Sequence, residues 1–306
     1  MDFLERYFLI ARNIAESHLA GVYKNLNKIE KCISLLCDFD SKELYKSEII
    51  AILLSHFVSS DVAIAYSGLM SKEEWVKLCN IAAQKNYLPG FECYDTAKNM
   101  LNYFYTTTYY LEQYKYKDLV KINAGDIAID CGGCLGDTAI WMLRNNAEIV
   151  YSFEIDKLNV EYMKKNAKKF AYQNRLYVEE YAVSDNNGNY FYLPNQKNAG
   201  SGRIYKNFID GSYEVKSIKL DDFCFNNKIK PNFIKMDIEG AERLALIGAK
   251  GILRKYKPNL AICIYHSWED RFEIPILINN IVPEYKMYLK KSHPFDETVL
   301  FCTTAE

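Results

Sequence analysis

The sequence predicts an α/β protein: a mostly parallel sheet with helices on both faces and an antiparallel pair of strands at one edge, behind an N-terminal helical region. Three observations carry this. From about residue 118 short β-rich runs alternate with helical stretches, which implies parallel strands joined by crossover helices. Before about residue 110 apolar residues recur instead at three- and four-residue spacing, the period of an amphipathic helix. The chain has 306 residues, 49% of them hydrophobic, ample for one large domain or two unequal ones. The boundary is expected near residue 110, with 1–110 helical and 111–306 forming the α/β domain.

In the first region Ile29, Ile33 and Leu36 mark one helical stripe, and Ile49, Leu53 and Phe57 another. Ser71 followed by Glu74 reads as a capping box opening a helix through Trp75, Leu78 and Ala82, and Pro89-Gly90 breaks the pattern. No chemistry is legible there. The region is expected to be a scaffold or dimerisation element, giving a homo-oligomer in the second case, with a substrate lid as the alternative. The aromatic run 103–116 is expected to pack, with stacking on a sugar or nucleobase as the alternative. Strands are then expected at 127–130, 149–153, 176–183, 233–236 and 260–265. Helices are expected at 138–144, 157–170, 241–253 and 269–281. Two closely spaced strands, 285–289 and 298–302, form the antiparallel edge. Gly188, Gly200, Gly202 and Gly211 mark a looser insert over about 186–219.

The formal charge is -1 and no dense Lys/Arg block occurs, so neither nucleic acid nor an anionic membrane surface is an expected partner. The opening MDFLERYFLIARN is interrupted by Asp2, Glu5 and Arg6 and does not read as a secretory signal. No apolar run is long enough to span a bilayer. Nine cysteines, odd in number and without a framework spacing, fit a reducing compartment, and a cytoplasmic location is expected. Cys131 and Cys134 form a single C-x-x-C with no second pair, so neither a zinc nor a redox site is assigned.

The chemistry concentrates at the strand ends. Residues 125–138 read GDIAIDCGGCLGDT, a buried strand ending at Asp130, then Gly132, Gly133 and Gly136, then a helix opening near Asp137. Ligands of such sheets bind beyond the carboxyl ends of the strands, and glycines there allow sharp turns and close approach. The register is not the G-x-G-x-x-G of a dinucleotide loop, and carboxylates flank the loop where a pyrophosphate would be repelled. They suit a ligand with sulfonium and ammonium groups, as in S-adenosylmethionine. The next strand ends at Glu154, whose two oxygens can accept both hydroxyls of a ribose. A nucleotide-dependent oxidoreductase would use the same acid, but its glycine register is missing.

The runs IDCGGCLGDTAIWM, YSFEID, EEYAVSDNNG and IKMDIEGAERLALIGA resemble the FkbM family of methyltransferases over roughly 110–302. The DIEGAE segment is the most specific of them. The resemblance implies a Rossmann-like class I methyltransferase sheet, with S-adenosylmethionine held by Asp130, Gly132, Gly136 and Glu154 and with Asp137 near the methionine end. Gly133, Ile155, Ala182 and Asp237 complete the expected cofactor set. It also implies O-methyl transfer to a sugar hydroxyl, free or nucleotide-linked, in surface polysaccharide synthesis. Another small-molecule hydroxyl, as in a secondary metabolite, is the alternative; a catalytically silent binding protein would have no need of Asp130, Glu154 and Asp237. Cys134 stands where the family commonly has a small polar residue. The strand LAICIYHSWED is closer to a bacterial subset with a YH…ED…IP pattern, here Tyr265, His266, Glu269, Asp270, Ile274 and Pro275.

Asp237 ends a strand beside the expected cofactor loop. Glu239 is expected to open the next helix, where the dipole favours an acid, and Gly240 to let that helix start tightly. Lys235 is expected to snorkel to water. His266 is the only histidine expected at a strand mouth on the cofactor side, His18, His56 and His293 lying elsewhere. It is expected to act as general base, with Asp237 or Asp270 orienting it. Asp237, Glu239, His266 and Asp270 have the donor chemistry for a magnesium or calcium ion, but no metal is assigned.

Overall fold

The computed structural model describes residues 20–54, 90–195, 200–293 and 296–305, with isolated positions between 73 and 81. The helix expected behind Ser71 and Glu74 lies outside the described residues, as do His18, His56, Phe57 and Pro89. The chain opens with α1 (Leu26–Leu35) and α2 (Phe39–Leu54). Next come α3 (Lys98–Phe104) and a π-helical segment, Tyr105–Tyr110. The alternating part runs β1 (Ile127–Cys131), α4 (Asp137–Arg144), β2 (Ile149–Phe153), α5 (Lys157–Lys169) and β3 (Leu176–Glu179). After an excursion described below it resumes with α6 (Leu220–Asn226), β8 (Phe233–Met236), α7 (Glu242–Ile247), α8 (Lys250–Tyr256), β9 (Asn259–Cys263) and α9 (Asp270–Ile281). It closes with β10 (Lys286–Lys291) and β11 (Thr298–Thr303).

Seven strands form one sheet in the order β10-β11-β9-β8-β1-β2-β3. All neighbours are parallel except β11, which is antiparallel to both β9 and β10. The strand order reverses between β1 and β8, and the carboxyl ends of β1, β2 and β8 open a crevice at that switch point. Alternate side chains feed two cores. Ile129, Ile234, Leu260 and Ile262 meet α1, α2 and α9 on one face, and Ala128, Val150, Phe233 and Ala261 meet α4 and α5 on the other. No helix among the described residues is long and apolar enough to cross a membrane.

Three expectations are corrected. The run 176–183 is two strands: β3 ends at Glu179, and β4 (Ala182–Val183) joins a second sheet. The looser insert holds three further strands, β5 (Asn189–Leu193), β6 (Arg203–Tyr205) and β7 (Tyr213–Ile218), in the order β4-β7-β5-β6. Tyr190 and Tyr192 point inward along β5, a period-two signal obscured by the glycines between the strands. The helix expected over 241–253 breaks into α7 and α8 around Gly248, where a Cβ would lie 2.0 Å from the Ser184 carbonyl oxygen.

Helices α1 and α2 share the core of the sheet, with Ile29, Cys32, Tyr45 and Ile49 buried against it. A buried ion cluster seals the contact. Glu48 of α2 accepts from Arg271 Nε at 3.1 Å and from Thr298 Oγ1 at 2.9 Å, and Lys291 Nζ lies 3.5 Å away. Burial alone would raise the Glu48 carboxyl, but Lys291 and Arg271 outweigh it and hold it below the ordinary range. Removing one member of a buried cluster strands the others, at a cost of roughly 3–5 kcal/mol. Glu48→Ala should therefore lose that much stability in urea titrations at neutral pH, and a loss below about 1 kcal/mol would contradict this account. Because the folded pKa is depressed, the Glu48 contribution is present above the unfolded carboxylate pKa and should disappear as pH falls through the folded one.

Candidate active site

The loop after β1 is shaped from beneath by a buried pair. Asp130 is 0% exposed, accepts from Ser152 Oγ at 2.8 Å and lies 3.1 Å from Lys235 Nζ. The three residues are register neighbours on β2, β1 and β8. Lys235 Nζ also donates to the carbonyl of Gly132 at 2.6 Å. Burial alone would lower the Lys235 ammonium, but Asp130 and Asp237 outweigh it and raise it. Lys235 thus does not snorkel: both its charge and that of Asp130 are consumed internally. Above them Gly132 turns in the left-handed region (φ 84), where a Cβ would fall 1.8 Å from the Asp237 carbonyl oxygen. Gly133 and Gly136 are needed for packing, since a Cβ at either would strike Met163, and at Gly133 also Ser152.

Two adjoining depressions open above the loop. The smaller spans about 530 Å³ including space open to solvent, and has Gly132, Glu154, Ile155, Tyr181 and Ala182 in its wall, together with Tyr192 and Ile204 of the second sheet. Glu154, at the end of β2, is 8% exposed. Its Oε2 accepts the Cys134 N–H at 2.7 Å, and its Oε1 accepts those of Ile155 at 2.7 Å and Asp156 at 2.8 Å. Burial pushes this carboxyl up to about 7 against those donors. An oriented carboxylate beside apolar walls suits a ribose and a flat base. An oriented carboxylate, Glu154, beside the apolar side chains of Ile155 and Ala182 therefore has the chemistry that S-adenosylmethionine requires.

The larger depression, about 1630 Å³ including space open to solvent, shares Gly132, Glu154, Gly200, Asp237 and Glu239 with the smaller one. Tyr103, Phe104, Arg203, Tyr265, His266 and Glu297 also line it. Asp237 accepts from Tyr114 Oη at 2.9 Å and Tyr265 Oη at 3.3 Å, and His266 Nε2 lies 3.2 Å from it. Burial would raise Asp237, but His266, Lys235 and Tyr114 outweigh it and hold the carboxyl far below the usual range. His266 Nδ1 lies 3.0 Å from Glu242 Oε1. Burial would lower the imidazole, but Glu242 and Asp237 outweigh it and raise it well above the ordinary histidine value. Glu297 accepts from Tyr103 Oη at 2.6 Å and from Gln113, and burial, then Asp237, push it up to about 7.

The crevice brings together Gly132, Glu154, Ile155, Ala182, Asp237 and His266 of the expected site. Others lie apart. Asp130 is spent on Lys235. Asp137, pushed up to about 6 by burial, sits behind the loop, with its backbone carbonyl taken by Tyr109 Oη at 2.9 Å. Asp270 does not orient His266: it caps Ser267 N at 2.9 Å and meets Arg243 Nε at 3.0 Å, because the first turn of α9 faces α7. Glu242, not Glu239, is the first-turn acid of α7, and Glu239 stands in the preceding loop. Asp237, Glu242 and His266 offer ligand atoms within 4.8 Å of one another, with the imidazole placed between the two acids. Glu242, Tyr114, Glu297 and Lys235 were not read as site residues. Tyr103 and Tyr114 lie within the aromatic run, whose hydroxyls were the available signal.

A crevice at the switch point, with a buried acid at the end of the second strand, is the arrangement of the Rossmann-like methyltransferase class. The Methyltransferase FkbM domain model matches residues 130–294, more than half of the chain. The chain belongs to the FkbM methyltransferase family, a group of S-adenosylmethionine-dependent enzymes. Its fold is similar to that of the crystal structure of methyltransferase FkbM from Methylobacillus flagellatus KT, at 20% identity and a TM-score of 0.59. That match covers 92% of this chain and 60% of the other, so the chain spans about three-fifths of that protein's length. Aeropyrum pernix fibrillarin, in complex with natively bound S-adenosyl-L-methionine, matches at 10% identity and a TM-score of 0.40, over 65% of this chain and 76% of that one. No curated protein sequence matches the chain significantly.

Glu154→Ala should weaken S-adenosylmethionine binding by the loss of charge-assisted hydrogen bonds, on the order of 1.5–3 kcal/mol. Calorimetry on the folded variant checks this, and unchanged affinity would take Glu154 off the ribose. The ionised carboxylate is the better acceptor, so affinity of the native protein should also decline as pH falls through about 7.

Proposed function

We propose that this chain methylates a hydroxyl of a sugar, free or nucleotide-linked, in the synthesis of a surface polysaccharide. The observation that carries the sugar is the lining of the larger depression, where the rings of Tyr103, Phe104 and Tyr265 stand among the carboxylates of Asp237, Glu239 and Glu297. A sugar presents apolar C–H faces that suit aromatic planes and hydroxyls that suit carboxylates. Arg203 in the same wall supplies a cation for the phosphate of a nucleotide-linked acceptor. The polysaccharide context rests on the family resemblance.

When bound, S-adenosylmethionine supplies an electrophilic methyl on a positively charged sulfur. In this reading Glu154 holds the cofactor's ribose, and the residues around Asp237 align the acceptor oxygen, since displacement at carbon requires an in-line approach. His266 takes a different part from the base expected of it. Held between Asp237 and Glu242 and raised well above its ordinary value, it stays charged at neutral pH and fixes the two acids.

A methylation screen over free sugars and nucleotide-sugars, read by mass spectrometry, tests the acceptor. One methyl gained by a sugar is the expected result, and gain only on non-sugar alcohols would overturn the reading. His266→Asn removes the charge between two acids and should cut turnover roughly 10²-fold through misplacement, with S-adenosylmethionine affinity nearly intact. Normal turnover, or a defect wholly in cofactor binding, would take His266 off the acceptor side.

A further inference from the structure

Three carboxylates border both depressions: Glu154, Asp237 and Glu239. A proton leaving the acceptor hydroxyl needs a carboxylate there with free acceptor capacity. Glu154 accepts three backbone N–H groups and, in the reading above, gives its remaining acceptor capacity to the cofactor's ribose. Asp237 accepts two tyrosine hydroxyls and faces an imidazolium, which makes it a poor base. Glu239 accepts no hydrogen bond among the described residues, and His266 Nε2 is 3.7 Å from its Oε2.

The backbone points the same way. Glu239 has φ 56 and Gly240 φ 98, two successive left-handed residues of which the first carries a side chain. Such a conformation is costly and persists where neighbours over-determine it. Here Glu242 does so, its Oε1 accepting the Ile238 N–H at 2.7 Å and its Oε2 the Gly240 N–H at 3.1 Å. The turn thus holds the Glu239 side chain at the junction of the two depressions.

We propose that Glu239 is the general base of the methyl transfer, an assignment that rests on the sugar-hydroxyl reading above. The acceptor hydroxyl gives its proton to a Glu239 carboxylate oxygen while its oxygen lone pair forms the new C–O bond to the methyl carbon. The C–S bonding pair stays on sulfur, leaving neutral S-adenosylhomocysteine, and Glu239 then releases the proton to water. The charged groups facing Glu239 are His266, Asp237, Glu242 and Arg203. Burial raises its carboxyl, His266 and Arg203 oppose that, and the balance stands at about 7, suited to a base working at neutral pH.

Two measurements on the full chain test this. In protein carrying carboxyl-labelled glutamate, carbon NMR should show a resonance titrating near pH 7 that is absent in Glu239→Gln; identical titrations of the two proteins would overturn the assignment. With a panel of methyl glycosides and nucleotide-sugars, Glu239→Gln should lower kcat by at least 10²-fold on whichever sugar the native enzyme methylates. The Kd for S-adenosylmethionine and the KM for the sugar should stay within about threefold, and the fall of native kcat below pH 7 should vanish in the variant. Glu239→Asp, which keeps a carboxylate on a shorter arm, should recover part of the rate. Retained turnover in Glu239→Gln, or a defect confined to Kd, would overturn the assignment. If the native enzyme methylates no sugar in the panel, the sugar reading fails alone, and the NMR titration decides on Glu239.

Discussion

Asp130 and Lys235 face each other across neighbouring strands under the crevice, each almost wholly removed from water. Two charges in such a place add little net stability as a pair, but losing either leaves the other uncompensated. Their value here is geometric. Lys235 reaches past Asp130 to the Gly132 carbonyl and so sets the path of the glycine loop. The loop in turn sets Glu154, whose Oε2 is held by the Cys134 N–H. It also brings Gly132 against the Asp237 carbonyl at a distance only glycine tolerates. The ring of Tyr114 lies 5.3 Å from the Lys235 ammonium and presents its hydroxyl to Asp237, tying the same cation to the acceptor side.

Around that base the carboxylates differ by environment, not by residue type. Asp237, surrounded by donors and cations, is held far below the ordinary range. Glu154, Glu239 and Glu297, for which burial is the leading influence, are each pushed up to about 7. Environments that separate titratable groups in one crevice allow them different tasks. A permanently ionised acid suits a fixed hydrogen-bond anchor, whereas an acid near neutrality can exchange a proton. His266 belongs with the fixed group, because acids on both sides of its ring make it a counter-charge.

Much of this was legible in the chain. The strands of the main sheet announce themselves as short apolar runs, and Glu154 and Asp237 mark strand ends by position alone. Local patterns cannot show partners remote in sequence. Nothing near Asp130 reveals that its counter-charge is Lys235, so its part in bracing the glycine loop was not legible. The same blindness made Glu239 the helix-opening acid. The helix dipole favours an acid in the first turn, but that place belongs to Glu242, because two left-handed residues delay the helix. Asp270 at four residues from His266 suggested a pair, yet its position in the first turn of α9 turns it to Arg243. The second sheet was missed because glycines at its turns resemble those of an unstructured insert, while the alternation of Tyr190 and Tyr192 spans too few residues to stand out.

The two depressions draw on different parts of the chain. The residues that line the smaller depression all fall within the segment matched by the family model. The larger depression borrows from outside it. Tyr103 at the end of α3 and Tyr114 beyond the π-helical segment reach Glu297 and Asp237 from opposite ends of that segment. A π-helical turn shifts the register of side chains relative to a regular helix and is frequent at functional sites. Here its Thr106 and Thr107 hydroxyls bond back to the carbonyls of Asn102 and Tyr103, fixing the turn. Glu297, itself left-handed at φ 59, lies just past the other limit of the matched segment. The residues that read most plainly in the sequence line the smaller depression, at strand ends that announce themselves. Those added around the larger one from 96–116 and 296–297 sit where periodicity and motif are weakest, because their partners are remote in sequence.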